Sequence, residues 1–214
     1  MQFHLNGFRP GDPAVQPATA PWRDPDGSLP AEVDVIIAGC GPAGLCLAAQ
    51  LAQIPSIRAM IVEPKLGPME KGQADGINVR SMEMFEAFGF ADKLKRESVW
   101  INETTFWTPD PANPAQIHRA GRVQDVADGL SEMPHVLINQ ARIHDMFLDV
   151  MRNAPSRMEP DYGQAITALT IDADAADYPV TVTLTSSRPG EEGRTHSLRA
   201  RYVVGCDGAR SAVR

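Results

Sequence analysis

The sequence predicts an α/β fold built on a parallel sheet. Three observations predict it: a glycine-rich turn between an apolar strand and an apolar helix, a second strand closing on a carboxylate, and a strand that breaks into a turn carrying an aspartate near the end of the chain. Val33-Asp34-Val35-Ile36-Ile37 is crowded with β-branched residues and holds no turn former, so it reads as a short buried strand. Gly39-Cys40-Gly41-Pro42-Ala43-Gly44 follows at G-x-G-x-x-G spacing. Leu45, Ala48, Ala49 and Ala52 then carry a helical period until Ile54-Pro55 ends it. Arg58 to Val62 reads as the next parallel strand, with Glu63 at its end.

That order suits a dinucleotide. The first glycine permits a sharp turn, the second lets backbone approach a pyrophosphate, and the third lets helix and strand pack closely. First-turn amides and the helix dipole favour the phosphate charge. Glu63 stands at about the 20-residue offset where a carboxylate meets ribose hydroxyls. A bare glycine motif is weak, but the strand before, the helix after and the placed acid make this one specific. The fold expected is therefore Rossmann-like.

Composition narrows the classes. The 214 residues, 43% hydrophobic, can bury the core of one domain with room for a smaller insert. A net charge of -7 argues against a nucleic-acid partner. The three cysteines, Cys40, Cys46 and Cys206, form no C-x-x-C pair and read as reduced and structural. His118, His144 and His196 share no ligand spacing, so no metal is expected. The N-terminus carries no apolar h-region and no run reaches the roughly 18 residues of a membrane span, which makes a cytoplasmic protein with no membrane partner the default.

Residues 1–32 form a proline-rich arm, expected to be extended on the surface or partly disordered, with Phe3, Leu5, Phe8 and Trp22 as anchors. The rest, 33–214, reads as the nucleotide-binding domain. Pro64 to Gly76 is a loop, and Arg80 to Phe88 a helix with Gly89 just past its end. Asp75 lies on the loop ahead of that helix, where a turn or cap aspartate is the ordinary use. Thr104–Trp107, Arg122–Val126 and His135–Ile138 look like strands of a small inserted sheet, about 98–138. Ala141 to Met151 is a helix with Asn139 as N-cap. Ile166–Ile171 and Val180–Leu184 are strands, the stretch 188–194 suggests a hairpin, and Tyr202-Val203-Val204 breaks at Gly205-Cys206-Asp207-Gly208.

Three stretches together carry a resemblance: Val35 to Leu51 with Glu63, the block Gly72-Gln73-Ala74-Asp75-Gly76-Ile77-Asn78-Val79-Arg80-Ser81-Met82-Glu83-Met84-Phe85, and Val203 to Arg214. On these the chain resembles the class A FAD-dependent aromatic monooxygenases, within them the phenol 2-monooxygenase and 3-hydroxybenzoate 4-monooxygenase group. The likeness runs from about Val33 to the last residue, and the arm opening is similar as well. It implies the FAD-binding fold of the p-hydroxybenzoate hydroxylase type, with a small inserted β-rich substrate region. It also implies FAD as cofactor, NAD(P)H as co-substrate, and hydroxylation of a small phenolic substrate with O2.

The same resemblance places residues. Gly39, Gly41, Pro42, Ala43, Gly44, Glu63 and Asp207 would bind the cofactor, with Gln73, Arg80 and Gln140 close to the flavin, its pyrophosphate or its ribityl chain. Asp75 would be catalytic, holding and polarising the phenol O-H, and His135 would meet the substrate's other end, where a carboxylate sits. Arg210 could pair with Asp207 or Glu63, or contact a nucleotide.

Members of the group continue well beyond the Asp-Gly motif, so the chain is expected to be C-terminally truncated, an N-terminal part that holds FAD weakly or not at all alone. Central strands would then keep only some neighbours. A homo-oligomer is an expectation for the full-length protein only. The competing readings are an inactive nucleotide-binding fragment and another FAD-dependent oxidoreductase such as a flavin halogenase or reductase. A short-chain dehydrogenase is set aside, because the residues four beyond Tyr162, Tyr178 and Tyr202 are Ile166, Val182 and Cys206 rather than lysine.

Overall fold

The computed structural model describes residues 3–4, 7–8, 12, 14–24 and 26–214. In chain order the elements are β1 (Phe3–His4), β2 (Gly7–Phe8), β3 (Glu32–Ala38), α1 (Pro42–Leu51), β4 (Ala59–Glu63), β5 (Gly76–Ile77), α2 (Val79–Ala87), α3 (Ala91–Glu97) and β6 (Val99–Ile101). There follow β7 (Glu103–Pro109), β8 (Ile117–Gln124), β9 (His135–Leu137), α4 (Gln140–Asn153), β10 (Asp161–Tyr162), β11 (Gln164–Ile171), β12 (Val180–Ser186) and β13 (Thr195–Gly205). They fall into two compact units, Met1–Met69 with His144–Arg214, and Glu70–Ile143.

The first unit is organised by a six-stranded sheet in the order β10-β4-β3-β13-β12-β11. Its first four strands run parallel, and β12 and β11 follow as an antiparallel meander. Ile36, Ile37, Met60, Ile61 and Val62 are all buried, the near-continuous apolar run expected of parallel strands covered on both faces. In β12 the inward residues Val180, Val182 and Leu184 alternate with Thr181, Thr183 and Thr185, the period of a strand buried on one face. Helix α1 packs on β3 and β4 through Leu45, Ala48 and Ala49, small enough on one side to let the helix lie close.

The strand read at Tyr202-Val203-Val204 is the end of a longer one. β13 is one 11-residue strand that pairs antiparallel with β12 up to Ala200 and parallel with β3 from Arg199 onward. β3 therefore has a neighbour on each side. Only the stretch of β13 beyond Ala200 lacks β12 beside it, and there Tyr202 is 67% exposed.

Of the arm's expected anchors, Leu5 lies outside the described residues, and Phe3 and Phe8 enter only through the backbone ladder of β1 with β2. Trp22 does anchor: with Leu29 it packs against the sheet's core. Beside it Arg23 donates two hydrogen bonds to Asp161, at 2.9 and 3.0 Å.

In the second unit β5, β9 and β6 form a three-stranded antiparallel sheet in that order, and β7 with β8 a separate hairpin. Helix α2 starts at Asn78, whose Oδ1 accepts the Ser81 amide at 3.0 Å, so the N-cap is Asn78 and Asp75 is left for other use. Gly89, at φ +81, ends the turn after α2. The short helix α3 has no counterpart in the sequence reading: seven residues with Asp92, Lys93, Lys95, Arg96 and Glu97 among them show too little apolar period, yet Leu94 is fully buried.

Candidate functional site

The glycine turn leaves β3 at Ala38 and enters α1 at Pro42. Gly39 has φ +96, and a Cβ on it would lie 2.6 Å from the Cys206 carbonyl oxygen, so both conformation and space demand glycine. A Cβ on Gly44 would lie 2.0 Å from the Gly39 carbonyl oxygen. At Gly41, by contrast, a Cβ would meet nothing within 4 Å. Two glycines are thus used for packing, while the middle one opens onto free space. Pro42 and Ala43 are exposed, α1 has no side-chain cap, and its first turn carries no acid to compete with a phosphate.

Glu63, at the end of β4, turns into this cradle. Its Oε2 accepts the Cys40 amide at 2.8 Å and its Oε1 the Lys65 amide at 3.1 Å. The Asp-Gly segment arrives beside them because β13 runs parallel to β3, with Gly205 opposite Ala38 and the Cys206 amide donating to the Ala38 carbonyl at 2.8 Å. Asp207 Oδ2 accepts the Ala212 amide at 2.7 Å, while Oδ1 is buried without a hydrogen-bond partner. Partial burial alone would raise the Asp207 carboxyl. The Ser211 hydroxyl and the Ala212, Asp207 and Val213 amides outweigh it and hold the group below the usual carboxylate range. An anion cradle open at Gly41, a carboxylate at the next strand end, and an orphaned carboxylate oxygen together fit an adenine dinucleotide. Arg210 forms neither expected ion pair among the described residues.

Beneath the turn lies a cluster that the sequence did not reveal. Cys40 is buried, and burial, reinforced by the Glu63 charge, pushes its thiol up to about 12. Burial, then Cys40, likewise raises the Tyr162 phenol, and burial lowers the His144 imidazole. No disulfide joins Cys40, Cys46 or Cys206.

In the second unit, β5 and β9 bring Asp75 and His135 onto one strand pair. Gly76 lies opposite Leu137, and the Ile138 amide donates to the Asp75 carbonyl at 2.9 Å. The Asp75 side chain is exposed, and no ion pair or side-chain hydrogen bond engages it among the described residues. His135 Nδ1 lies 2.7 Å from Asp125 Oδ2. Asp125 was read only as the interior of a strand; it lies one residue past the end of β8. Gln73 and Gln140 are also brought together, the Gln140 Oε1 accepting the Gln73 amide at 2.8 Å. A Cβ on the intervening Gly72 would fall 2.4 Å from the Gln140 Cβ. Arg80 stands apart, 85% exposed and donating to Glu83 at 2.6 Å one helical turn on.

Among the described residues, no helix is long and apolar enough to cross a membrane, and no group of three or more His, Cys, Asp or Glu side chains is placed to hold a metal ion. Over its whole length the chain is 61% identical to 3-hydroxybenzoate 4-monooxygenase of Comamonas testosteroni, of which it covers 34%. It is 40% identical to the FAD-dependent monooxygenase terD of Aspergillus terreus, over 87% of this chain and 30% of the relative. The chain thus spans about a third of the length of these relatives. The crystal structure of the flavin-dependent monooxygenase PieE, in complex with FAD and substrate, superposes on 91% of the chain and 32% of its own length with a TM-score of 0.68 at 22% identity, a likeness of fold. Residues 32–214 match the family described as FAD binding domain, and with the open glycine cradle and the inward-turned Glu63 this places the chain in that family.

Proposed function

We propose that this chain is the N-terminal, FAD-binding part of a monooxygenase that hydroxylates a phenolic ring, of the 3-hydroxybenzoate or phenol type, with NAD(P)H and O2. The observation that carries the proposal is the cradle itself: Glu63 bonded to the Cys40 amide beside a Gly41 that faces free space. The 61% identity to a protein named for 3-hydroxybenzoate supports the substrate class.

Gly41, Pro42, Ala43 and Gly44 would take the pyrophosphate, Glu63 the ribose, and Asp207 Oδ1 a donor of the cofactor. Gln73, Gln140 and Arg80 are proposed to serve the flavin side. When bound, the flavin supplies the redox chemistry, taking electrons from the nicotinamide and activating O2. The chain's own contribution is to the phenol. Asp75, a carboxylate with no side-chain partner among the described residues, would accept the phenol O-H and draw off its proton, and the electron density released into the ring makes the carbon ortho or para to oxygen nucleophilic. His135 would hold the opposite end of the ring, where a cationic or hydrogen-bonding imidazole suits a carboxylate.

The test is 3-hydroxybenzoate hydroxylation by flavin-loaded protein carrying Asp75→Asn. Loss of a positioned base lowers turnover by about 10²–10⁴-fold with flavin content unchanged. Turnover equal to wild type would remove Asp75 from the mechanism. Flavin binding with no phenol-stimulated NAD(P)H oxidation in the wild type would favour a nucleotide-binding module instead.

A further inference from the structure

The aspartate at the end of β8 has a geometry that bears on the proposed ligand end of the site. Asp125 Oδ2 lies 2.7 Å from His135 Nδ1, and its other oxygen accepts the Thr104 hydroxyl at 3.3 Å. Its backbone amide donates to the Asn102 carbonyl at 3.0 Å, so both the residue and its carboxylate are tied down. The backbone of His135 is fixed by its strand: His135 lies opposite Ile101 of β6, and β5 runs along the second edge of β9. His135 Nε2 comes to 3.4 Å from the position a Cβ would take on Gly76, the residue after Asp75.

We infer that Asp125 is a positioning residue: it fixes the His135 ring with Nδ1-H directed at its own carboxylate and leaves Nε2, beside Gly76, as the atom that meets a ligand. An ionised carboxylate accepts hydrogen bonds and donates none, so the nitrogen facing it must carry a proton. Which nitrogen of an imidazole is protonated is set by the bond the other one makes. With Nδ1-H committed to Asp125, a neutral ring offers the Nε2 lone pair, and a ring protonated against a ligand carboxylate offers Nε2-H with Asp125 balancing its charge. Both states keep the ring plane and the working atom the same. The absence of any Cβ at Gly76 keeps the approach to Nε2 clear. The ligand end of this inference rests on the proposed role of His135, whereas the tautomer does not.

Histidine ¹⁵N correlation spectra of the full 214-residue chain, recorded at alkaline pH with the rings neutral, decide the matter. Wild type shows the Nδ1-H tautomer at His135. In Asp125→Ala the acceptor is lost, and the tautomer shifts toward Nε2-H; Asp125→Glu and Asp125→Asn, whose side-chain oxygens still accept, favour Nδ1-H. A wild-type ring found as Nε2-H, or a ring that keeps Nδ1-H undiminished in Asp125→Ala with the remaining histidine signals unmoved, overturns the inference. Titrating 3-hydroxybenzoate into the same wild-type sample tests the reading beneath it separately. A shift at His135 Nε2, weakened about 10-fold or more in apparent affinity by Asp125→Ala, supports the ligand-facing role. No shift, with the tautomer switch intact, counts against the substrate role of His135 and leaves the Asp125 assignment standing.

Discussion

Glu63 is hydrogen-bonded into the glycine turn it was expected to face, its carboxylate 2.8 Å from the Cys40 amide. One oxygen therefore braces the turn while the other meets the Lys65 amide at 3.1 Å, so the group that would receive a ribose is already oriented by backbone donors. Glu63→Gln retains an acceptor but loses the charge. Bonds to charged groups contribute about 1.5–3 kcal/mol, so FAD affinity, followed by quenching of flavin fluorescence, should fall at least tenfold while the unfolding midpoint moves little. Unchanged affinity would mean that Glu63 serves the turn alone.

The three motif glycines should separate cleanly on substitution. Gly44→Ala forces a Cβ to within 2.0 Å of backbone, and Gly39→Ala adds strain from a φ of +96 to a 2.6 Å approach to Cys206. Each should cost more than about 2 kcal/mol in denaturant unfolding, the range of overpacked cores and forced conformations. Gly41→Ala meets nothing in the protein, so it should unfold like wild type and lose cofactor affinity instead. Equal stability losses at Gly41 and Gly44 would contradict an open cradle.

The buried thiol under the turn makes a pH prediction. Cys40 is raised from 9.0 to about 12 in the fold, so above pH 9 the unfolded chain releases a proton that the folded chain keeps. Stability contributed by this group is full below about pH 9 and is lost as pH rises toward 12, by at most about 1.4 kcal/mol per pH unit. Tyr162, also raised, adds a loss of the same sign. Urea unfolding across this window should show a steeper alkaline decline in wild type than in Cys40→Ala. With its thiol raised by burial and itself shielded from solvent, Cys40 should resist iodoacetamide at pH 9 until the protein unfolds.

Beside Trp22, a bidentate pair ties the arm to the sheet, Arg23 on Asp161. Asp161 is 8% exposed, and Arg23→Ala would strand its carboxylate, leaving Arg188, at 3.9 Å, as its remaining ion-pair contact among the described residues. A loss of about 2 kcal/mol is expected, together with faster proteolysis within residues 14–24. Arg23→Lys, which cannot pair in bidentate fashion, should recover only part of it.

Much of this was legible before any coordinates. β3, α1, β4 and α2 fall within a residue or two of their expected places, because β-branched runs, a glycine turn and a 3.6-residue apolar period are local signals. Asn78 was missed as the cap of α2 because Asp75 is an equally good capping residue three positions earlier, and only the path of β5 shows which one reaches the Ser81 amide. α3 was missed because its burial rests on Ala91 and Leu94 alone, too few to show a helical period. Asp125 was missed for a different reason: ten residues separate it from His135, and a loop between them leaves no spacing rule to apply.

The sequence by itself determined the strand-turn-helix that would take a pyrophosphate and the acid that follows it, since both depend on neighbours within about 30 residues along one chain segment. Tertiary structure decided what surrounds them. The parallel register of β13 on β3 carries Cys206 and Asp207 across more than 160 residues to the back of Gly39, and the antiparallel register of β5, β9 and β6 sets His135 between Asp125 and Gly76. Strand pairing fixes such distances through backbone hydrogen bonds that every residue can make, and it is therefore written in no single residue's identity.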